Sequence, residues 1–347
     1  MIIIATVGPR TKDKKILKNI IESGANILRL NCSHFNKKDF EETIKYARSL
    51  NNKVHILIDL CGKKIRISQY LKHIYKIYDN QEVIFCGEDY YRRLSLDEID
   101  TRNYIPLNIS EEIINISNIN SISIKDNTMK FKIINVDNGK IIAKVINGGV
   151  IRHGKGCNIS EIYKDENILS KNDKKNIEWA YNNNVDIICQ SFVESKREIK
   201  EIQDYIYNIK KERNINIWAK VETKEGIKNI NEILKVVNTV VIGRGDLVPE
   251  CGLLNAVNLQ EIAIKVIKEK NKKIIIGTHL LNSMKNGHVV TLPEVESIYK
   301  FINMNVDGFL LAGETSVGKN PIDTVKFLKD SINYYKERRE KIWRRRK

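Results

Sequence analysis

VDGFLLAGETSVGKNP, residues 306–321, decides how the rest of the chain is read. An apolar run, Val306–Ala312, leads into G-x-x-x-x-G-K between Gly313 and Lys319, and Pro321 opens a helical pattern. Strand, glycine loop and helix in that order are the context of a nucleotide cradle. The last position of such a cradle is Ser or Thr, whose hydroxyl meets magnesium, and here it is Asn320. The same stretch reads equally well as the last strand and loop of a repeating strand–helix array.

Periodicity along the whole chain favours the array. Short apolar runs recur at Ile2–Thr6, Asn26–Leu30, Val54–Asp59, Asp186–Gln190, Ile217–Lys220, Thr239–Ile242, Lys273–Gly277 and Val306–Leu311. Between them lie amphipathic patterns at Lys12–Ser23, Lys38–Leu50, Lys171–Asn183, Ser195–Arg213, Gly226–Val236, Asn255–Lys270 and Pro293–Asn303, with another from Pro321. Ser170 with Asp173 has the spacing of a helix N-terminal cap. Strands alternating with crossover helices make a parallel sheet, and eight such repeats predict an α/β fold, a closed (β/α)8 TIM barrel. One interval breaks the rhythm. KFKIINVDNGKIIAKVI (130–146) alternates as strands do, with Asn138-Gly139 as a hairpin signal. Residues 67–157 are therefore expected to be a small β domain, a lid, inserted after the third strand. The barrel would comprise residues 1–66 and 158–347.

Composition narrows the function. The 347 residues are 42% hydrophobic, with no run long enough to span a bilayer and no signal-peptide pattern at the start. Six scattered cysteines without a C-x-x-C pair suit reduced thiols in a cytoplasmic protein. The formal charge of +16 raises nucleic-acid binding, yet the last twelve residues, KERREKIWRRRK, hold eight bases and two acids. No nucleic-acid-binding motif accompanies the charge, so small anionic substrates are favoured over nucleic acid.

Barrel active sites lie at the strands' C-terminal ends, and polar residues gather there in this sequence. Arg29, Asn31, Ser33 and His34 follow the second run and Asp59 ends the third. Lys220 and Glu222 end the fifth, Arg244 and Asp246 the sixth, Thr278 the seventh, and Glu314 follows the eighth. Taken singly, Asp59 or Asp246 could cap a helix or join a surface ion pair, and Lys220 could reach solvent. Together, two carboxylates beside a lysine suit a hard divalent cation that holds a phosphorylated anion. Gly243 and Gly245 would let backbone N–H groups approach such an anion. These are the parts that phosphoryl transfer needs.

The motifs resemble those of pyruvate kinases. In order they are ATVGPRT (5–11), NILRLNCSH (26–34), IDLCGKKIR (58–66), NGGVIRHGKGCNIS (147–160), SFVES (191–195), AKVETKEGI (219–227), GRGDL (243–247), GTHLLNSM (277–284) and AGETSVGKNP (312–321). The resemblance implies a TIM barrel with an inserted lid, and makes the P-loop match a coincidence. It also implies a magnesium-dependent phosphotransferase that moves phosphate between phosphoenolpyruvate and ADP to give pyruvate and ATP.

Residue roles follow from the same resemblance. Glu222 and Asp246 would ligate Mg2+ or Mn2+, Lys220 would stabilise the transferring phosphoryl group, and Arg29 would hold phosphate. Gly245 and Asp246, through their backbone, and the Thr278 hydroxyl would clasp the substrate carboxylate, with Thr278 near the proton that enolpyruvate collects. Arg66, Lys155, Pro9 and His34 would meet the nucleotide, between the barrel mouth and the lid. Asn31, Ser33 and Asp59 match the potassium site, but Lys64 stands where many members have Glu, so K+ should not be required.

Departures from the family pattern leave alternatives open. The chain is expected to lack the family's C-terminal regulatory domain, which puts the tetramer in doubt and leaves a homodimer through the barrel as one arrangement. Leu60-Cys61 replaces Thr-Lys, Val248 replaces Gly after GRGDL, and HVVTLPEVES (288–297) keeps Thr291 and Glu294 but has lost the family's Arg. A divergent enzyme acting on another carboxylated phosphate or hydroxy acid, or a non-catalytic relative that binds nucleotide or phosphoenolpyruvate, would also fit.

Overall fold

The structure, a computed structural model, describes residues 1–50, 53–124, 128–159, 162, 169–209 and 215–344. Eight parallel strands close into a barrel: Ile2–Thr6, Ile27–Asn31, His55–Leu60, Ile187–Gln190, Asn216–Val221, Thr239–Gly243, Lys273–Gly277 and Gly308–Leu311. Each pairs with its neighbours in chain order, and the last pairs with the first through Ile2–Gly308 to Ala5–Leu311. The α/β barrel expected from the apolar runs is the observed architecture.

The interior of the barrel explains why those runs are apolar. Ile4, Ile27, Leu57, Ile187, Cys189, Trp218, Val241, Ile275 and Leu310 form one buried cluster, to which every strand contributes. Strands covered on both faces read as near-continuous hydrophobic runs. The crossover helices confirm the spacing with two differences. The pattern expected from Gly226 to Val236 is two short helices, Lys224–Lys228 and Ile230–Ile233, which meet at Asn229. A further helix, Arg244–Cys251, starts directly from the sixth strand and contains Pro249. The ends of the helix expected to reach Arg213 and of the basic tail fall outside the described residues. Ser170 caps Lys171–Asn182 by accepting from Asp173 N at 3.0 Å.

By its internal contacts the chain divides into two units. One is Met1–Gly62, Leu169–Leu247 and Leu254–Lys347, which holds the barrel, and the other is Lys63–Ile168 with Val248–Leu253. Within the second, a six-stranded sheet runs in the order Cys157–Ile159, Ser121–Ile124, Met129–Asp137, Lys140–Asn147, Glu82–Gly87 and Tyr104–Leu107. The Asn138-Gly139 hairpin is present, both residues at positive φ (49° and 72°), as a tight two-residue turn demands. Phe85 and Phe131 meet edge to face at 4.9 Å in its core. Three short helices, Glu88–Tyr91, Leu96–Arg102 and Glu111–Asn115, were not legible in its β-like pattern.

Burial sets a test of this packing. Ile4→Ala, at a residue with 0% exposure in the barrel interior, should cost about 2–5 kcal/mol. Val289→Ala, 85% exposed, should stay within about 0.5 kcal/mol. Denaturant unfolding followed by circular dichroism would measure both, and equal effects would contradict the assignment of Ile4 to the core.

Candidate active site

Asp59, the penultimate residue of the third strand, is 1% exposed and has both oxygens engaged. Its Oδ2 accepts from Arg29 Nε at 2.7 Å and Nη2 at 2.6 Å, and from Lys220 Nζ at 2.8 Å. Its Oδ1 accepts from Ser191 Oγ at 2.7 Å. Residues on or just after the second, fourth and fifth strands thus converge on a carboxylate of the third. Burial alone would push the Asp59 carboxyl up, but Lys220 and Arg29 outweigh it and hold the group well below the usual carboxylate range. Burial likewise opposes the Lys220 ammonium, yet Asp59 and Glu222 outweigh burial and hold its pKa above the ordinary value. Lys220 is therefore a fixed positive charge at neutral pH. Arg29 also donates to Thr6 Oγ1 at 2.9 Å, which brings in the first strand.

Glu222, 3% exposed, lies 3.6 Å from Lys220 Nζ and accepts from Phe192 N at 3.3 Å. A side chain at Gly243 would overlap the Glu222 carboxylate, so the glycine before Arg244 is required for close approach. Asp246 sits in the first turn of the helix that leaves the sixth strand. Among the described residues no three His, Cys, Asp or Glu side chains gather as a metal cage. Glu222 and Asp246 are hard oxygen donors, and Mg2+ is held by one or two carboxylates with substrate oxygens and water completing the octahedron. By donor chemistry the two carboxylates suit such an ion.

The seventh-strand end is held differently. Thr278 (φ 67°) and His279 (φ 53°) are consecutive non-glycine residues in the left-handed region. Each such residue costs about 1–3 kcal/mol and persists only where its surroundings impose it. Arg244 donates to Thr278 O through Nε (3.1 Å) and Nη2 (2.6 Å), and to His279 O at 2.7 Å. Glu314, 1% exposed, accepts from Leu280 N at 3.2 Å and Ala312 N at 2.9 Å. Burial brings the Arg244 pKa down to about 10, with Glu314 acting the other way. Thr278 Oγ1 accepts from Gly245 N at 2.8 Å.

The stretch from Gly313 to Asn320 is no phosphate cradle. Gly313–Ser316 is one helical turn, Ser316 N and Val317 N donate to Ala312 O and Gly313 O, and Ala312 N is taken by Glu314. Of the backbone donors that a P-loop would aim at phosphate, Ser316 N and Val317 N are thus spent within the loop, and Lys319 N donates to Lys285 O at 3.1 Å.

The other expected residues fall into separate groups. Asn31 Oδ1 accepts from Ser33 N at 3.1 Å, and Ser33 Oγ lies 3.5 Å from Cys61 Sγ. Pro9 is exposed on the loop after the first strand, and His34 is exposed at the end of the 3-10 turn Cys32–His34 after the second. In the inserted unit Arg66 donates to Gly154 O at 3.0 Å, Ile67 N to Lys155 O at 2.8 Å, and the Lys64 stem lies across Gly156. Lys64, Arg66 and Lys155 are thus carried by two neighbouring segments. Glu250, in the altered stretch after Asp246, accepts from Asn158 Nδ2 at 2.9 Å.

Three contributors, Ser191, Asp173 and Glu294, lie outside the site residues expected from the sequence. Ser191 opens the SFVES motif, but nothing in the motif says that it donates to Asp59. Asp173, read only for capping, also accepts from Cys61 N at 3.2 Å and so fixes the loop after the third strand. Glu294 and Thr291 form a capping box, and Glu294 accepts from Ser283 N at 2.8 Å, which ties down the loop after the seventh.

The relatives agree with this architecture. A family model described as "Pyruvate kinase, barrel domain" matches residues 1–325. The pyruvate kinase of Thermoplasma acidophilum is 28% identical over 336 residues, 97% of this chain and 58% of that protein. That of Staphylococcus epidermidis is 28% identical over 335 residues, 94% and 55% respectively. That of Thermotoga maritima is 29% identical over 331 residues, 94% and 69%. The chain therefore spans little more than half the length of the first two. With a match over nearly all of its residues, the chain belongs to the pyruvate kinase family.

Proposed function

We propose that the protein is a magnesium-dependent phosphotransferase that moves a phosphoryl group from phosphoenolpyruvate to ADP. The observation that carries this reading is the buried cluster in which one carboxylate, Asp59, holds the Arg29 guanidinium and the Lys220 ammonium side by side at the strand ends. Fixed cations in a water-poor site are worth far more to a developing phosphoryl charge than mobile ones in water. Lys220 faces the transferring group and Arg29 holds its oxygens. The backbone N–H groups of Gly245 and Asp246, at the start of a helix, favour the substrate carboxylate. The Thr278 hydroxyl, which has one proton to give, serves the enolate carbon as pyruvate forms. A divalent cation on Glu222 and Asp246, when bound, supplies charge neutralisation at the phosphoryl oxygens.

For the nucleotide the candidates are Arg66 and Lys155 in the inserted unit and Pro9 and His34 on the barrel. Independence from K+ is part of the proposal. Both Asp59 oxygens and Asn31 Oδ1 already have donors, which supports a site that needs no further cation, with Lys64 supplying the charge. Free thiols at all six cysteines suit a reducing, cytoplasmic setting. One observation favours a second reading, a different carboxylated phosphate: the stretch after Asp246 is altered, with Val248 at the family's Gly position and Glu250 accepting from Asn158 Nδ2.

Mixing the protein with phosphoenolpyruvate, ADP and Mg2+ and following pyruvate and ATP by NMR tests the proposal. Turnover should be equal with and without K+ and should fall by about 10^2–10^3-fold in Lys220→Met. No turnover from protein that binds Mg2+ and ADP would favour the other substrate, and turnover undiminished in Lys220→Met would sink both readings. Asp59→Asn should lower stability by about 3–5 kcal/mol near pH 7, because two buried cations lose their partner. The folded-state pKa of Asp59 is depressed, so its contribution is present above about pH 4 and fades as pH falls below that. Thermal midpoints of wild type and Asp59→Asn should therefore converge below about pH 4. A constant gap down to about pH 2.5 would contradict this.

A further inference from the structure

The geometry points to Arg244 as a positioning residue that sets the Thr278 hydroxyl. What Thr278 then does rests on the proposed function, but the clamp itself does not.

A β-branched residue at positive φ is an outlier that something must hold in place. Thr278 is such a residue, and His279 repeats the conformation. The plane of the Arg244 guanidinium spans both carbonyls, with Nε and Nη2 on Thr278 O and Nη2 also on His279 O. Its own position is fixed from below by the Phe301 ring, 5.2 Å from Cζ, and by Ser297 Oγ at 3.5 Å. Glu314 holds the 279–280 peptide from its other side through Leu280 N. The loop is therefore gripped on its carbonyl side by an arginine and on its N–H side by a carboxylate.

The consequence lies one bond away. Left-handed backbone at Thr278 brings its Oγ1 onto Gly245 N at 2.8 Å. An oxygen that accepts there keeps its O–H free to donate towards a bound group. Without the clamp, residues 278 and 279 relax towards negative φ, and Oγ1 leaves Gly245. Lysine cannot replace the arginine, because a single ammonium on a flexible stem lacks the planar fork that reaches two carbonyls. A glycine at 279 would lower the cost of the left-handed state and reduce the need for the clamp.

Arg244→Lys, Arg244→Met and the double variant Arg244→Met/His279→Gly separate these roles when deuterium exchange across residues 277–285 is measured beside steady-state kinetics. Exchange there should quicken about 10-fold in Arg244→Met, as expected for a locally released segment. The kcat with phosphoenolpyruvate should fall by about 10^2-fold, the scale for a misplaced reacting group, while KM for ADP stays within about 2-fold. Arg244→Lys should rescue little, and His279→Gly should restore part of the lost kcat. Unchanged exchange would overturn the clamp. Faster exchange with kcat intact would overturn the positioning role. A wild type without turnover would end the functional reading alone, and the exchange arm would still decide the clamp.

Discussion

A carboxylate that cannot be hydrated must be satisfied by the chain, and Asp59 is satisfied only if the barrel is closed. Its four donors come from Arg29, Ser191 and Lys220, which lie in sequence up to 161 residues away. Arg29 extends the connection to Thr6, and Lys220 to Glu222, whose carboxylate fills the space that Gly243 leaves. One buried anion therefore coordinates six of the eight strand ends. Buried ion pairs are poor sources of net stability, since desolvation takes back most of the attraction. What this one supplies is a pair of cations held side by side and kept charged. Such an arrangement is costly for folding and suited to binding a phosphate.

The remaining strands rely on strain held in place. Thr278 and His279 adopt conformations that their side chains disfavour, and Arg244 and Glu314 hold the peptide after them by its carbonyl and its N–H. Phe192, beside Glu222, is, after Thr278 and His279, a third residue other than Asn or Gly at positive φ among the described residues, 56°. All three follow directly, or one residue on, from barrel strands, where the rigid sheet can impose them. Cation cluster and strained loop meet through the sixth strand, whose Gly243 makes room for Glu222 and whose Arg244 grips Thr278.

Much of this was legible along the chain. Strands buried on both faces must be apolar throughout, so eight runs with helical spacing between them announced the barrel. The polar residues at their ends, Arg29, Asp59, Lys220, Glu222 and Asp246, announced the mouth. Less could be seen of who holds whom. Asp173 reads as a cap because its partner Ser170 is three residues away, whereas its bond to Cys61 spans 112 residues. Arg244 reads as one more cation until Thr278 is known to be left-handed, and nothing in a threonine codon announces that. The helix break at Asn229 and the short helices of the inserted unit are set by packing rather than by period. GETSVGKN shows the converse: a short pattern matched a cradle, and the bonds of Glu314 show why it is a strand-end loop.

The central claim is that a phosphate ester binds beside Lys220, within reach of an ion on Glu222 and Asp246. Phosphorus NMR of phosphoenolpyruvate with substoichiometric Mn2+ addresses it most directly, because paramagnetic broadening reports distance without requiring turnover. The account predicts strong broadening of the phosphorus line in the wild type and its loss in Glu222→Gln. Broadening that survives in Glu222→Gln, or is absent from the wild type, would contradict it.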